Sequence, residues 1–223
     1  MRVYHFLAEP WALDDLARRR LKISTFNDLN DPFELWGVSQ PNPQLRRAFQ
    51  GFKNDMATRY GLVCFCRSWR NPLLWGHYAD KHKGICLGFD IDDRLVQPVK
   101  YVAKRPRLKT IDLNLALRLW TTKFSGWSYE QEIRWVLNLE TRDGTGLYFY
   151  NFGDQLRLVK VILGPLCTTT TEKVTAALAG YSGVEIVRSR LAFNSFRVVR
   201  NKSVAVIRSG AVEPMPGDIH ESQ

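Results

Sequence analysis

Short apolar runs and short amphipathic segments alternate irregularly along the chain, and this spacing constrains the fold more than any other feature. The runs have the length and the β-branched and aromatic content of strands, and the other segments have helical periodicity. They do not follow one another as regular βαβ units. The pattern predicts an α+β fold, with a mixed, largely antiparallel sheet and flanking helices.

The predicted elements follow closely on one another. Strands are expected at 3–7, 21–24, 61–67, 84–91, 96–102, 133–137, 147–151, 156–163, 184–188, 196–199 and 204–207. Helices are expected at 10–20, 43–59, 72–80, from Asp112 to near Phe124, and from 169–171 onward.

Length and composition favour one domain. With 223 residues, of which 45% are hydrophobic, the chain can bury a substantial core. We expect the domain to span 1–208. The segment 209–223 contains prolines, glycines and polar residues, and it is expected to be a disordered tail.

The chain is basic, with 32 Lys and Arg residues against 22 Asp and Glu and a net charge of +10. Much of the surplus lies at 100–109 and at 184–208. A solvated basic face explains such a surplus, but the charge also favours polyanions, so DNA or RNA is a candidate partner.

Membrane insertion and metal binding are not indicated. The longest apolar run falls short of the roughly 18 residues of a membrane span, and the four cysteines match no zinc-site spacing. We expect a cytoplasmic protein with reduced thiols, no membrane partner and no metal site.

Two carboxylates stand close together at the start of one predicted strand. Glu130 and Glu132 precede the apolar run 133–137, and side chains two apart on a strand share a face. Like charges held this close raise at least one pKa, which active sites exploit. An exposed pair beside an edge strand is the simpler interpretation, but other polar clusters favour a functional site.

Three such clusters fall at strand ends or in loops. They are Tyr4 with His5, the loop residues Asn30 and Asp31 with Glu34, and Arg67 and Ser68 followed by Trp75 and Tyr78 on a helix. A hydrogen-bonded structural histidine, an Asx turn and core packing would explain them without a ligand. Aromatic side chains on one helix face also suit stacking on a flat heteroaromatic ligand.

Three motifs in these clusters occur together. They are L-N-D-P-F-E at 29–34, L-W-G-H-Y-A-D-K-H-K-G at 74–84 and W-S-Y-E-Q-E-I-R at 127–134. Over most of the chain this combination resembles a bacterial and phage domain family of unknown function. That family looks like a divergent branch of the ADP-ribosyltransferase fold, although this chain has no clear Ser-Thr-Ser motif.

The resemblance implies that NAD is the substrate. It places Glu132 in the catalytic position and His5 at the ribose, a role for which Arg2 competes, while the chemistry of transfer would make Glu130 the general base for the acceptor. The other residues expected to bind NAD are Tyr4, Asn30, Asp31, Arg67, Ser68, Trp75 and Tyr78, although the segment from Trp75 to Asp80 has no direct counterpart in the better-known members. Tyr78 or Trp75 would stack on nicotinamide, and Arg67 or Arg70 would pair with the pyrophosphate. The chemistry agrees, since a carboxylate stabilises the oxocarbenium-like centre formed when nicotinamide leaves.

The leading prediction is therefore an NAD-dependent ADP-ribosyltransferase-like enzyme, acting as a toxin or phage-defence effector on nucleic acid or protein. An antitoxin or immunity protein is a further expected partner. Two alternatives stay open. One is a non-catalytic module that binds nucleic acid or protein on the same fold. The other is a metal-dependent nuclease that uses Asp31, Glu34, Glu130 and Glu132.

Overall fold

The computed structural model of the chain describes residues 1–33, 39, 42–105 and 113–210. Its strands are β1 (Arg2–Leu7), β2 (Arg20–Thr25), β3 (Tyr60–Cys66), β4 (Ile85–Ile91), β5 (Gln97–Pro98), β6 (Lys100–Val102), β7 (Thr122–Phe124), β8 (Glu132–Asn138), β9 (Tyr148–Asn151), β10 (Leu156–Leu163), β11 (Glu185–Leu191), β12 (Val198–Arg200) and β13 (Ile207–Arg208). Its α-helices are α1 (Glu9–Arg18), α2 (Pro43–Arg59), α3 (Pro72–Tyr78), α4 (Leu113–Trp120) and α5 (Thr171–Ala177).

One large sheet organises these elements. Its main path is β12-β11-β10-β4-β1-β3-β2-β9, while β8 pairs with β3 and β5, and β13 pairs with β11. In the described part of this sheet the β10–β11 pair is parallel and the other pairs are antiparallel. A separate parallel pair joins β6 and β7. The predicted α+β class with a largely antiparallel sheet is confirmed.

The central strands bury both of their faces, which is why β4 reads as a continuous apolar run. On the first face, Leu87 packs in one cluster with side chains of α1 and α5. On the second face, Cys86 and Ile162 pack with Trp75 of α3. Successive side chains of a strand point to opposite faces, so the sheet separates the α1/α5 layer from α3.

The sheet splits beside β3. Strand β8 pairs with β3 along its whole length, from Tyr60 to Cys66. On the other edge of β3, β2 pairs at Gly61 and Leu62, whereas β1 pairs at Cys66. Residues 63–65 of β3 therefore face a gap between β1 and β2, and this gap positions the site described below.

The predicted elements differ from the structure mainly around residues 96–124. The predicted strand 96–102 is two short strands, β5 and β6, interrupted at Val99. The helix predicted to run to Phe124 ends at Trp120, where the β-branched Thr121 and Thr122 follow, and Lys123 lies on β7 instead.

Several predictions concern residues outside the described part of the chain. They are the Asp112 helix cap, Glu34, part of the basic segment 100–109 and nearly all of the predicted tail, 211–223. Among the described helices, none has both the length and the apolar character needed to cross a membrane.

Candidate active site

A cleft of about 210 Å³ opens where β1 leaves β3, and we call it the first cleft. Several predicted site residues line it together: Tyr4, His5, Asn30, Tyr78, Glu130 and Glu132. They come from β1, the loop after β2, α3, the 3₁₀ helix that precedes β8, and the first residue of β8. The split of the sheet thus gathers residues that are far apart in the chain.

The two carboxylates of the first cleft converge on Lys123. Its Nζ donates to Oε2 of Glu130 at 2.7 Å and to Oε2 of Glu132 at 3.1 Å, and all three side chains are buried. Strand alternation does not cause this convergence. Glu130 ends a 3₁₀ helix, Gln131 has a left-handed φ of 46°, and Glu132 begins β8. The turn at Gln131 therefore aims both carboxylates at one cation.

A second cation fixes Glu132. The fully buried Arg134 donates from Nε to Oε1 of Glu132 at 2.7 Å and from Nη2 to Oε2 at 3.0 Å. Its Nη1 donates to the carbonyl oxygen of Trp120 at 2.8 Å. Burial by itself would raise the pKa of Glu132, but Arg134 and Lys123 outweigh burial and lower it. Glu132 is therefore an anion at neutral pH.

Glu130 has different surroundings. Its Oε1 accepts a hydrogen bond from the phenol of Tyr78. Burial raises the pKa of Glu130, against the opposing effects of Lys123 and Tyr78. The pKa of Tyr78 is also raised, by burial and by Glu130, so the phenol stays protonated and donates. Two neighbouring carboxylates whose pKa values move in opposite directions can take different roles in acid–base chemistry.

His5 forms another wall of the first cleft. Its Nδ1 lies 2.7 Å from the carbonyl oxygen of Cys64, on the part of β3 that faces the gap. Because a carbonyl oxygen only accepts, Nδ1 carries the proton. Burial lowers the pKa of His5 and outweighs the bond to Cys64, which would raise it. The lowered pKa favours the neutral ring. The neutral ring leaves Nε2 as a hydrogen-bond acceptor.

Trp75 does not reach the first cleft and cannot stack on a ligand as predicted. Its side chain has no exposed surface, and its Nε1 donates to the carbonyl oxygen of Trp69 at 2.6 Å. Its ring packs edge-on against Phe6, with 5.0 Å between the ring centroids. Trp75 is thus a core residue on the buried side of α3. Tyr78, on the same helix, lines the cleft.

Three other predicted residues also lie outside the first cleft. Asp31 is buried and accepts the backbone N–H of Phe33 at 2.9 Å, which is a turn-forming contact. Arg67 is exposed. Ser68 lines a neighbouring cleft instead.

That neighbouring cleft, which we call the second cleft, holds about 230 Å³. Its walls include Ser68, Arg70, Tyr129, Phe196 and Arg197. Glu130 lines both clefts. The turn at 129–131 therefore lies between the two clefts.

Lys123 and Arg134 are site residues that the sequence patterns do not single out. Arg134 had a signal, since it lies two residues after Glu132 on a strand and so shares its face. Lys123 had none, because its contact with Glu132 depends on β7 and on the turn at Gln131.

Comparison of the chain with protein-family models, with curated proteins and with solved structures found no match in any of the three. The resemblance to ADP-ribosyltransferases thus stays a prediction. In the described part of the chain, no three or more His, Cys, Asp or Glu side chains are grouped so that they could hold a metal ion.

Proposed function

We propose that the first cleft binds the nicotinamide riboside end of NAD and that the protein transfers ADP-ribose from NAD to an acceptor. The observation that carries this proposal is the convergence of Glu130, Glu132, Tyr78 and His5 on one cleft. At about 210 Å³, the cleft is smaller than the roughly 300 to 1,000 Å³ of a typical ligand pocket. We therefore expect it to enclose one end of the dinucleotide.

Glu132 supplies the electrostatic part of the reaction. When nicotinamide leaves with the electron pair of its bond to ribose C1′, positive charge develops on the sugar. Lys123 and Arg134 keep Glu132 ionised in a buried position, so its charge is oriented before the reaction begins. A preorganised charge of this kind stabilises the transition state more than a solvated one.

Glu130 and His5 have complementary roles in the proposal. Glu130 has a raised pKa, which suits a general base that takes a proton from the acceptor. In this proposal the Nε2 of His5 accepts a hydrogen bond from a ribose hydroxyl. The ring of Tyr78 lies beside nicotinamide. In the cell, the proposed role of such an enzyme is that of a toxin or phage-defence effector. Its proposed partner is an antitoxin or immunity protein.

The nuclease alternative has less support. A divalent-metal nuclease would need a cation between Glu130 and Glu132, and the ammonium of Lys123 lies there already. Asp31 is engaged with Phe33, outside the first cleft. If the protein is a non-catalytic binding module, the buried charged side chains serve only to stabilise the fold. A measurement of NAD cleavage distinguishes this alternative from the proposed enzyme.

Nicotinamide release from NAD by the purified protein tests the proposal. We expect Glu132→Gln to slow release by roughly 10²-fold, the scale of losing one preorganised electrostatic partner. Glu140→Gln is the matched control, because Glu140 is exposed just beyond β8. Release should also persist in EDTA, which a metal-dependent enzyme would not tolerate.

Folding must be checked, because Glu132→Gln weakens a buried pair. Circular dichroism melting identifies any unfolding, and Tyr78→Leu, which keeps both carboxylates but removes the ring proposed to lie beside nicotinamide, gives a second variant with slower expected release. If the wild-type protein neither binds NAD nor releases nicotinamide, the proposal is wrong. It is also wrong if a folded Glu132→Gln variant releases nicotinamide at the wild-type rate.

A further inference from the structure

We propose that the second cleft is the acceptor site and that the acceptor is a single-stranded nucleic acid. The transfer step of this inference rests on the proposed function of the first cleft, whereas binding of the strand does not. Three features support this inference: the position of Glu130 at both clefts, the exposed aromatic side chains and the charge around the second cleft.

Glu130 connects the two clefts. It lines both, and the neighbouring Tyr129 and Gln131 line the second cleft. The amide of Asn71 donates to the carbonyl oxygen of Tyr129 at 2.8 Å and fixes this turn. The second cleft therefore lies next to the residue that acts as general base in the proposed reaction of the first cleft.

Two phenylalanines stand exposed beside the second cleft. Phe196 lines it and is 98% exposed, and Phe193 on the same loop is 87% exposed. The guanidinium of Arg190 lies 4.2 Å from the centroid of the Phe193 ring. Exposed aromatic rings among arginines form the stacking platforms on which single-stranded nucleic acids lay their bases.

The loop that carries these rings is fixed in place. It joins β11 to β12, and Ala192 N–H bonds to the carbonyl oxygen of Arg197 at 2.9 Å. Across the cleft, Val198 N–H bonds to the carbonyl oxygen of Arg70, also at 2.9 Å. The platform therefore needs little ordering when it binds a strand, which favours affinity.

The charge favours a polyanion over an acidic or apolar protein patch. Glu185 is the single acid between residues 184 and 208, and it pairs with Lys160 and Arg208. Arg70 and Arg197 form no ion pair with any carboxylate in the described ranges, so their guanidinium groups are available to phosphates. Unpaired bases are needed to stack on Phe196, which favours single strands over duplexes.

The transfer step is chemically balanced. A nucleophilic N–H or O–H group of the strand attacks ribose C1′, and the bond from C1′ to nicotinamide nitrogen breaks. The electron pair of that bond leaves with nicotinamide, and the proton of the nucleophile passes to Glu130. The products are nicotinamide, an ADP-ribosylated strand and a proton, which Glu130 then releases to water, and no further reactant is needed.

Fluorescence anisotropy with short labelled RNA and DNA strands, without NAD, tests the binding part. We expect the double variant Phe196→Ala/Arg197→Ala to weaken binding about tenfold or more, since stacking and phosphate contacts are both lost. The slope of log affinity against log salt should fall by about one. The control Trp11→Ala/Arg18→Ala removes an exposed aromatic and an arginine from α1, and it should bind as wild type does.

Transfer of label from NAD to the strand tests the second part. The inference is overturned if the wild-type protein binds no strand, if the double variant binds as well as wild type, or if label from NAD goes to a protein acceptor instead. Failure of the proposed function gives a different result, because nicotinamide release would be absent while strand binding and its loss in the double variant remain.

Discussion

At the start of β8 the two faces of the sheet are stabilised by different interactions. Ile133 and Trp135 pack in the apolar cluster of the α1/α5 face. Glu132 and Arg134 alternate with them and point to the other side, where Glu132 pairs with both Arg134 and Lys123. One face is held by apolar burial, and the other contains a buried ion network at the first cleft.

The comparison teaches that the two faces should respond differently to substitution. Apolar burial is non-directional, so similar volumes replace one another at small cost. A buried ion pair depends on both partners, because removal of one leaves an uncompensated charge. The first face is therefore expected to tolerate substitutions that keep the side-chain volume, whereas the ion network is expected to be sensitive to the loss of either partner.

Arg134→Met should have the largest effect on stability. It keeps much of the side-chain volume but leaves Glu132 without its bidentate partner, so we expect a loss of about 3 to 5 kcal/mol in the free energy of unfolding. Urea denaturation measures it. Adding Glu132→Gln should restore part of the loss, because the unpaired charge is then removed. A loss below about 1 kcal/mol for Arg134→Met would show that the network is not a stabilising unit.

Leu87→Ala should destabilise the protein less than Arg134→Met does, and it should affect stability without affecting activity. Leu87 is fully buried under α1 and α5, and its truncation should cost about 3 kcal/mol. Leu87→Met should cost less than about 1.5 kcal/mol. Nicotinamide release by the folded protein should stay close to wild type in both variants. A selective loss of NAD binding would break the distinction between the faces.

The sequence predicted the parts of the fold that depend on local patterns. The predicted strand 156–163 coincides with β10, and the other predicted strands around the core are correct to within a few residues. The first cleft was partly predictable, because Glu130 and Glu132 stand together in the sequence. The contact with Lys123 was not predictable. It requires both the position of Lys123 on β7 and the left-handed turn at Gln131 between the two carboxylates.

The second cleft could not be predicted from sequence patterns. Arg70 and Phe196 meet there because β12 follows β11 at the sheet edge and Val198 bonds to Arg70. That pairing joins segments more than a hundred residues apart, and no local periodicity encodes it. Trp75 shows the opposite limit, because helix spacing cannot distinguish a buried aromatic ring from one at a cleft.

The pH dependence of transfer should give the smallest effect and the finest test. Glu130 acts as a base when deprotonated, and its pKa lies above the ordinary 4.5, so transfer should fall as pH drops through a midpoint above 4.5. Tyr78→Phe removes a hydrogen bond that favours the charged carboxylate, so the midpoint should rise further. Tyr181→Phe is the control on the α1/α5 face, where the phenol bonds to the carbonyl oxygen of Leu16, and its midpoint should match wild type.

A crystal structure with an NAD analogue whose nicotinamide–ribose bond cannot break tests the central claim most directly. We expect nicotinamide beside Tyr78 and the ribose 2′-hydroxyl within hydrogen-bond distance, about 2.6 to 3.2 Å, of a Glu132 carboxylate oxygen. An analogue bound elsewhere on the protein at saturating concentration, with the first cleft empty, would contradict the account.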